Sequence, residues 1–171
     1  MIHVVLIEPE IPQNTGNIAR TCAATGSTLH LVEPLGYSLD DRYLRRAGLD
    51  YWPLARVQVH PTLEAAKEAL AGVPWFLTSA HAQHGYTEVQ FPEEVALVFG
   101  RESRGLPQEM LEEQPQRCIR IPMIEEARSL NLANSVAVVV YEALRQRGFP
   151  GLMREGKARG ETQQPQWKDY L

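Results

Sequence analysis

Residues 119–147, IRIPMIEEARSLNLANSVAVVVYEALRQR, decide how the chain is read. Ile119 and Ile121 form a short apolar alternation that Pro122 ends, which predicts a strand. After a polar loop, Leu132, Val136, Val139, Val140, Ala143 and Leu144 recur at helical spacing. Val138, Val139 and Val140 alone would suit a strand, but Tyr141 to Arg145 continue the helical period beyond ordinary strand length. Asn131 or Ser129 is placed to cap this helix, and Gly148 and Pro150 stop it. Arg145 and Arg147 put positive charge where the helix dipole is negative. The helix start faces a strand end, a place for a polar small molecule. The plainer reading is that Ser129 and Asn131 only cap, and stretches elsewhere in the chain tip the balance.

Around this unit the chain has 171 residues, which suits one domain with a proper core. A hydrophobic share of 44% and a charged share of 22% belong to a soluble globular protein. No stretch is apolar enough to span a membrane and the start lacks signal-peptide features, so the cytoplasm is the expected compartment. Cys22 and Cys118 form no CxxC pair and read as buried free thiols, with no structural metal expected. A net charge of -4 and a pI near 5.7 argue against nucleic-acid binding through bulk positive charge. Basic residues are nevertheless grouped, in Arg42, Arg45 and Arg46 and again from Arg145 to Lys168, where they can hold phosphates locally or be plain solvated surface.

Taken in order, Ile2 to Ile7 is a continuous apolar run, the mark of a strand buried on both faces. Pro9 and Pro12 interrupt regular structure, and Asn14 to Asn17 open a helix that Gly26 closes. Thr28 to Val32, Val57 to His60, Trp75 to Ser79, Ala96 to Phe99 and Cys118 to Ile121 are the further strands. Helices are expected at Leu39 to Ala47, at Leu63 to Ala71 under a Thr62 cap, and at Gln108 to Glu113. Ala80 to Phe91 is polar and aperiodic, hence a surface loop. Alternating strands and helices imply an α/β fold, a mostly parallel sheet flanked by helices, with ligands beyond the carboxyl ends of the strands. Residues 1–150 make the domain, and 151–171 read as a mobile tail that Trp167 and Tyr170 could pin.

Three polar segments fall at strand ends: Asn14 to Arg20, Gly100 to Gly105, and Pro122 to Asn131. Each joins glycine or proline to Asn, Ser, Glu or Arg, the composition of a site. Arg20, placed one and a half turns into its helix, is suited to gripping a phosphate. Gly100 would let a ligand lie against backbone, and Glu102 would fix an arginine such as Arg20 or Arg104. His81 and His84 have no third ligand in view for a metal.

NTGNIAR (14–20), LVFGRESRGLP (97–107) and IPMIEEARSLNLANSVAVVVYEA (121–143) resemble the three signature motifs of the SPOUT RNA 2′-O-methyltransferases. The likeness is closest to the YibK/TrmL branch and includes the opening VLIEPEIPQNTGN and the internal LRRAGLDY. It covers residues 1 to about 150, and three ordered motifs at matching distances are far more specific than one. The resemblance implies a C-terminal trefoil knot, which general topology rules would have argued against. It implies S-adenosylmethionine bound by Leu77, Thr78, Gly100, Ile121, Met123, Ser129 and Leu130, and no metal. It implies a homodimer through the C-terminal helix, whose broad aliphatic face suits two partners. The reaction implied is methyl transfer to the ribose 2′-hydroxyl of the wobble nucleotide, C or U, in the tRNA anticodon loop. Arg20, Asn14, Glu102 and Asn131 match its catalytic positions. Arginine is a poor base, so Arg20 is read as holding phosphate and polarising the 2′-oxygen. Tyr141, Arg42, Arg45, Arg46 and Arg154 are the candidate RNA contacts.

Three other readings stand beside this one: 2′-O-methylation at another tRNA or rRNA site, a Rossmann-type nucleotide-dependent oxidoreductase, and an RNA-binding module without chemistry. The oxidoreductase fails on detail, because NTGN lacks the three glycines that bring a pyrophosphate onto a helix end. Arg20, Glu102, Ser129 and Asn131 weigh against loss of the chemistry.

Overall fold

The computed structural model describes residues 1–39 and 54–156. The apolar run at the start forms β1 (Ile2–Ile7), and Gly26, in the left-handed conformation, ends the helix that follows, α1 (Pro12–Thr25). Next come β2 (Thr28–Val32), β3 (Arg56–His60), α2 (Leu63–Ala69), β4 (Trp75–Thr78), β5 (His84–Gly85) and β6 (Val95–Phe99). After them are α3 (Gln108–Glu113), a 3₁₀ turn (Pro115–Arg117), β7 (Cys118–Arg120) and α4 (Leu132–Gln146). The expected helix at Leu39 to Ala47 falls almost wholly on residues outside those described, as do Arg42, Arg45, Arg46, Trp167 and Tyr170.

The strands form one seven-stranded sheet in the order β3-β2-β1-β6-β4-β7-β5, and all its pairings are parallel. Alternate residues of each strand feed opposite layers. Val4 and Leu6 of β1 and Leu97 and Phe99 of β6 meet Ile18 and Cys22 of α1 and Val136, Val139, Val140 and Ala143 of α4. On the other face Val5, Ile7 and Val98 meet Ala66 beside Leu70, and Leu106 and Met110. The aliphatic breadth of α4 is therefore used mainly within its own chain. Both cysteines are buried free thiols. No described helix is long and apolar enough to cross a membrane.

Two local expectations are corrected. Residues 80–91 contain β5, because the outer edge of β7 has free backbone groups that His84 and Gly85 pair, and Tyr86 extends this by donating to the Arg120 carbonyl at 2.9 Å. The first helix begins at Pro12 rather than Asn14, since proline at the first helical position loses no intrahelical bond. The tail expected to begin at residue 151 has no regular structure over its described residues 151–156, yet Leu152 packs on the core.

Gln146 fastens the end of α4 to the chain before β6, accepting from the Phe91 N–H and donating to the Val89 carbonyl, each at 2.9 Å. Glu142, buried beneath it, accepts from Arg145 at 2.7 and 2.9 Å. Those bonds hold its carboxyl below the usual carboxylate range.

Three histidines cross the first three strands in a hydrogen-bonded row. His3 Nδ1 lies 2.9 Å from His30 Nε2, and His30 Nδ1 lies 2.9 Å from His60 Nε2. Each contact needs one N–H and one lone pair, so a second proton on His30 makes it a donor on both sides and obliges both neighbours to accept, fixing their tautomers. Burial, then the neighbouring His3 and His60, lower the His30 pKa to about 4. A histidine with a depressed folded pKa takes up its proton more readily when unfolded, so its contribution is intact above pH 6.5 and declines toward pH 4. Unfolding free energy from denaturant titration should fall on the order of 3 kcal/mol across that window from this group. His30→Leu should flatten that part of the profile, and an equal slope in the variant would exclude His30 as its source.

Candidate active site

β1 and β6 are neighbours in the sheet, but the chain leaves them in different directions, which opens a crevice at their carboxyl ends. There a cavity of about 800 Å³ is walled by the loops after β4, β6 and β7 and by the start of α1. Of the residues expected to bind a cofactor, Thr78, Gly100, Ile121, Met123, Ser129 and Leu130 line it. Leu77 does not. Alternation along β4 turns Leu77 into the core beside Val5 and Val98, fully buried, and leaves Thr78 to reach the cavity.

Asn14, Glu102 and Asn131, which lie far apart in sequence, meet at the cavity wall in one row of hydrogen bonds. Asn131 Nδ2 donates to Asn14 Oδ1 at 2.9 Å, and Asn14 Nδ2 donates to Glu102 Oε1 at 3.0 Å. Glu102 also accepts the backbone N–H of Glu10 at 2.8 Å and of Ile11 at 3.3 Å. A carboxylate can only accept, so Asn14 must turn its nitrogen to Glu102 and its oxygen to Asn131. Asn131 is left with its oxygen toward α4, where it caps Ala133 N at 2.9 Å and Asn134 N at 3.3 Å. Of the two caps expected for this helix, Asn131 is the one used.

Glu102 was expected to fix an arginine, and the structure gives its oxygens to the start of α1. Ile11, the residue before that helix, has no side-chain acceptor to offer, so a carboxylate on another loop takes the N–H groups there and sits well against the helix dipole. Glu10 returns the contact, accepting from Ser103 N and Ser103 Oγ at 2.8 Å each. Arg101 pairs with Glu8. Gly100 is needed because a Cβ there would meet Gly105 C at 2.1 Å. Protein backbone, the turn closed by Arg101 and Gly105, is what lies against it, although Gly100 also borders the cavity.

Arg20 is the expected catalytic residue that the cavity does not include. Because α1 begins at Pro12, Arg20 lies about 12 Å along the helix axis from its start, and it is exposed. Tyr141 and Arg154 are exposed as well, outside the cavity lining. Sequence reasoning missed Glu10, whose partner is on another loop, and Tyr37, whose hydroxyl bonds Thr15 Oγ1 beside Asn14. Burial raises the Tyr37 pKa to about 12, so this phenol stays a donor at neutral pH. His81 borders the cavity, and among the described residues no three His, Cys, Asp or Glu side chains stand together as a metal site.

A family model described as the SpoU rRNA Methylase family matches residues 1–141. The chain is 50% identical over 156 residues to the tRNA (cytidine(34)-2′-O)-methyltransferase of Aeromonas hydrophila, which takes in 91% of this chain and 100% of that protein. A solved structure described as giving insights into the 2-OH methylation of C/U34 on tRNA superposes with a TM-score of 0.83 at 50% identity, covering 86% of this chain and 97% of that one. An AdoMet-bound rRNA methyltransferase from Sinorhizobium meliloti is similar with a TM-score of 0.74 at 28% identity, over 84% of this chain and 56% of the other.

The hydrogen-bond row makes a prediction independent of any ligand. Glu102→Gln replaces an acceptor with an amide nitrogen that must face an N–H donor, at a cost of about 1–2 kcal/mol for this half-buried group. Asn14→Ala should cost a similar amount, and the double variant less than the sum, because both sever one network. Denaturant midpoints of the three variants test this, and strict additivity would show that the row does not act as a unit.

Proposed function

The chain belongs to the SpoU rRNA methylase family, and from that premise we propose that it methylates the ribose 2′-hydroxyl of nucleotide 34, C or U, of tRNA, with S-adenosylmethionine as donor. The observation that carries this reading is the cavity at the carboxyl ends of β4, β6 and β7. Its volume of about 800 Å³ suits a nucleoside-sized cofactor with room for a ribose beside it. The wall is mixed as such a ligand requires, with Leu106, Ile121, Met123 and Leu130 for apolar surface and Thr78, Ser129 and backbone groups beside Gly100 for polar edges. The cofactor supplies an electrophilic methyl group on a sulfonium.

The protein's own part is to hold the ribose in line, exclude water and let the hydroxyl lose its proton. Asn131 Nδ2 has a second hydrogen beyond the one given to Asn14, and it borders the cavity with Ser135, so the two can orient a ribose. Asn14 and Glu102 act through Asn131, by fixing its orientation. Arg20, always charged and on the exposed side of α1, grips the RNA backbone rather than taking the proton. Tyr141 and Arg154, also exposed, are further RNA contacts, as are Arg42, Arg45 and Arg46.

The proposal extends to the chain path and the assembly. β7 enters the sheet between β4 and β5 after the chain has already laid β6 on the other side of β4, a path that supports a trefoil knot. Exposed Asn134 and Tyr141, with half-buried Val138 between them, leave an edge of α4 for the same edge of a second copy, giving a homodimer. The tRNA anticodon loop is the partner and the cytoplasm the compartment. Residues 1–150 are the methyltransferase domain, and 151–171 follow it.

Labelled S-adenosylmethionine and tRNA lacking wobble methylation provide the test. Label is expected on the 2′-oxygen of nucleotide 34. Label at another nucleotide keeps the reaction and moves the site, while no label on any tRNA overturns the substrate. In the same assay Arg20→Ala should lower methyl transfer by roughly 10–100-fold, and a rate near that of the unchanged protein removes Arg20 from the reaction.

A further inference from the structure

A ribose 2′-hydroxyl in RNA never arrives alone, because the adjacent 3′-carbon carries a phosphodiester. Whatever admits the hydroxyl to the cavity must therefore receive an anion at the same mouth. Asn14, Glu102 and Asn131 cannot receive it, since they offer a carboxylate and amides committed largely to one another. Arg20 does not border the cavity.

Among the described residues three arginines do border it: Arg101, Arg104 and Arg128. Arg101 is paired with Glu8. Arg104 and Arg128 are exposed, and among the described residues neither side chain has a hydrogen bond or ion pair. Most other arginines of the described part already have acceptors: Arg56 donates to the Gly26 carbonyl, Arg145 to Glu142 and Arg147 to the Pro92 carbonyl. Positive charge without a partner is thus left at the cavity mouth in a chain of net charge -4.

The two arginines are also carried on well-defined supports. Arg104 sits in the turn whose ends, Arg101 and Gly105, bond each other at 3.1 and 2.8 Å and whose Ser103 is held by Glu10. Arg128 follows the turn closed by Ala127 N and the Ile124 carbonyl and lies three residues before Asn131, the residue tied to Asn14. Glu125 and Glu126 are exposed near it in sequence, but neither borders the cavity.

We propose that Arg104 and Arg128 form a binding site for the RNA phosphodiesters that flank the ribose undergoing methylation. The inference rests on the tRNA methyltransferase reading, and it assigns the phosphates flanking the reacting ribose to the cavity mouth, leaving Arg20 on α1 a backbone contact farther along the RNA. Guanidinium groups suit the task, as each can give two parallel N–H bonds to one phosphate.

The test measures equilibrium binding of tRNA lacking wobble methylation across a salt series, with S-adenosylhomocysteine affinity and methyl-transfer rates beside it. Arg104→Gln and Arg128→Gln should each weaken tRNA binding at low salt by about tenfold and lower the salt slope by about one. Affinity for S-adenosylhomocysteine should be unchanged, and Arg128→Lys should recover the slope more than the methyl-transfer rate. Thermal melts equal to that of the unchanged protein are expected for both exposed positions. Unchanged tRNA affinity and slope in both variants would overturn the inference while leaving the methyltransferase reading intact. A weaker affinity for S-adenosylhomocysteine with an unchanged salt slope would overturn it in favour of the cofactor's carboxylate. Failure of the unchanged protein to bind or methylate any tRNA would remove both.

Discussion

The Glu102 carboxylate is the contact on which the arrangement of this protein's working end depends. A parallel sheet aligns strands but leaves the loops at their carboxyl ends independent of one another. Glu102, on the loop after β6, takes N–H groups from the chain after β1, and through Asn14 and Asn131 it reaches the start of α4. Three stretches far apart in sequence are thereby held in one place. Hydrogen bonds to a charged acceptor are worth about 1.5–3 kcal/mol each, roughly double the neutral kind. The charge also sets polarity: had a neutral amide stood at 102, both Asn14 and Asn131 could flip, and the cap on α4 would no longer be specified.

The same contact explains what was and was not legible in the sequence. β1, β2, α3 and the α4 start at Leu132 follow from local pattern, because apolar runs, proline and a capping asparagine act within a few residues. The motif likeness brought Asn14, Glu102 and Asn131 together as site residues, but Glu102 was given an arginine as partner, whereas it takes N–H groups at the start of α1. Nothing near Ile11 signals that its helix is served by a carboxylate on another loop, so α1 was begun two residues late and Arg20 brought too close to the strand ends. Gly100 was read as room for a ligand; it borders the cavity, and the Cβ it lacks would also strike Gly105. The inward turn of the Leu77 side chain was within reach of sequence reasoning, since strict alternation along β4 sends Leu77 and Thr78 to opposite sides. β5 was not, because two residues show no period and exist as a strand only by virtue of β7 beside them.

Charge is used locally throughout. Glu142 and Arg145 neutralise each other at the end of α4, Glu8 and Arg101 at the end of β1, and His30, in the middle of the histidine row, stays neutral where it is buried. In each place an ionisable group inside or near the core is matched to a partner or kept neutral, as the cost of burying charge requires. An acidic chain organised this way has little field to attract RNA at a distance, so recognition falls to contacts made at close range.

That division bears on where catalysis and binding can be separated. The hydrogen-bond row fixes the cavity wall with groups whose bonding capacity is largely filled, so it is well placed to position a ribose and poorly placed to take up a new charge. Groups that meet a polyanion need the opposite character, exposed and without internal partners, which a folded protein tolerates only on long side chains that water solvates when RNA is absent. A site of this type therefore combines a stiff inner wall of amides and one carboxylate with a solvated rim of arginines. Affinity and rate should respond to different residues, because filling the rim changes encounter with RNA while breaking the wall changes the geometry of attack.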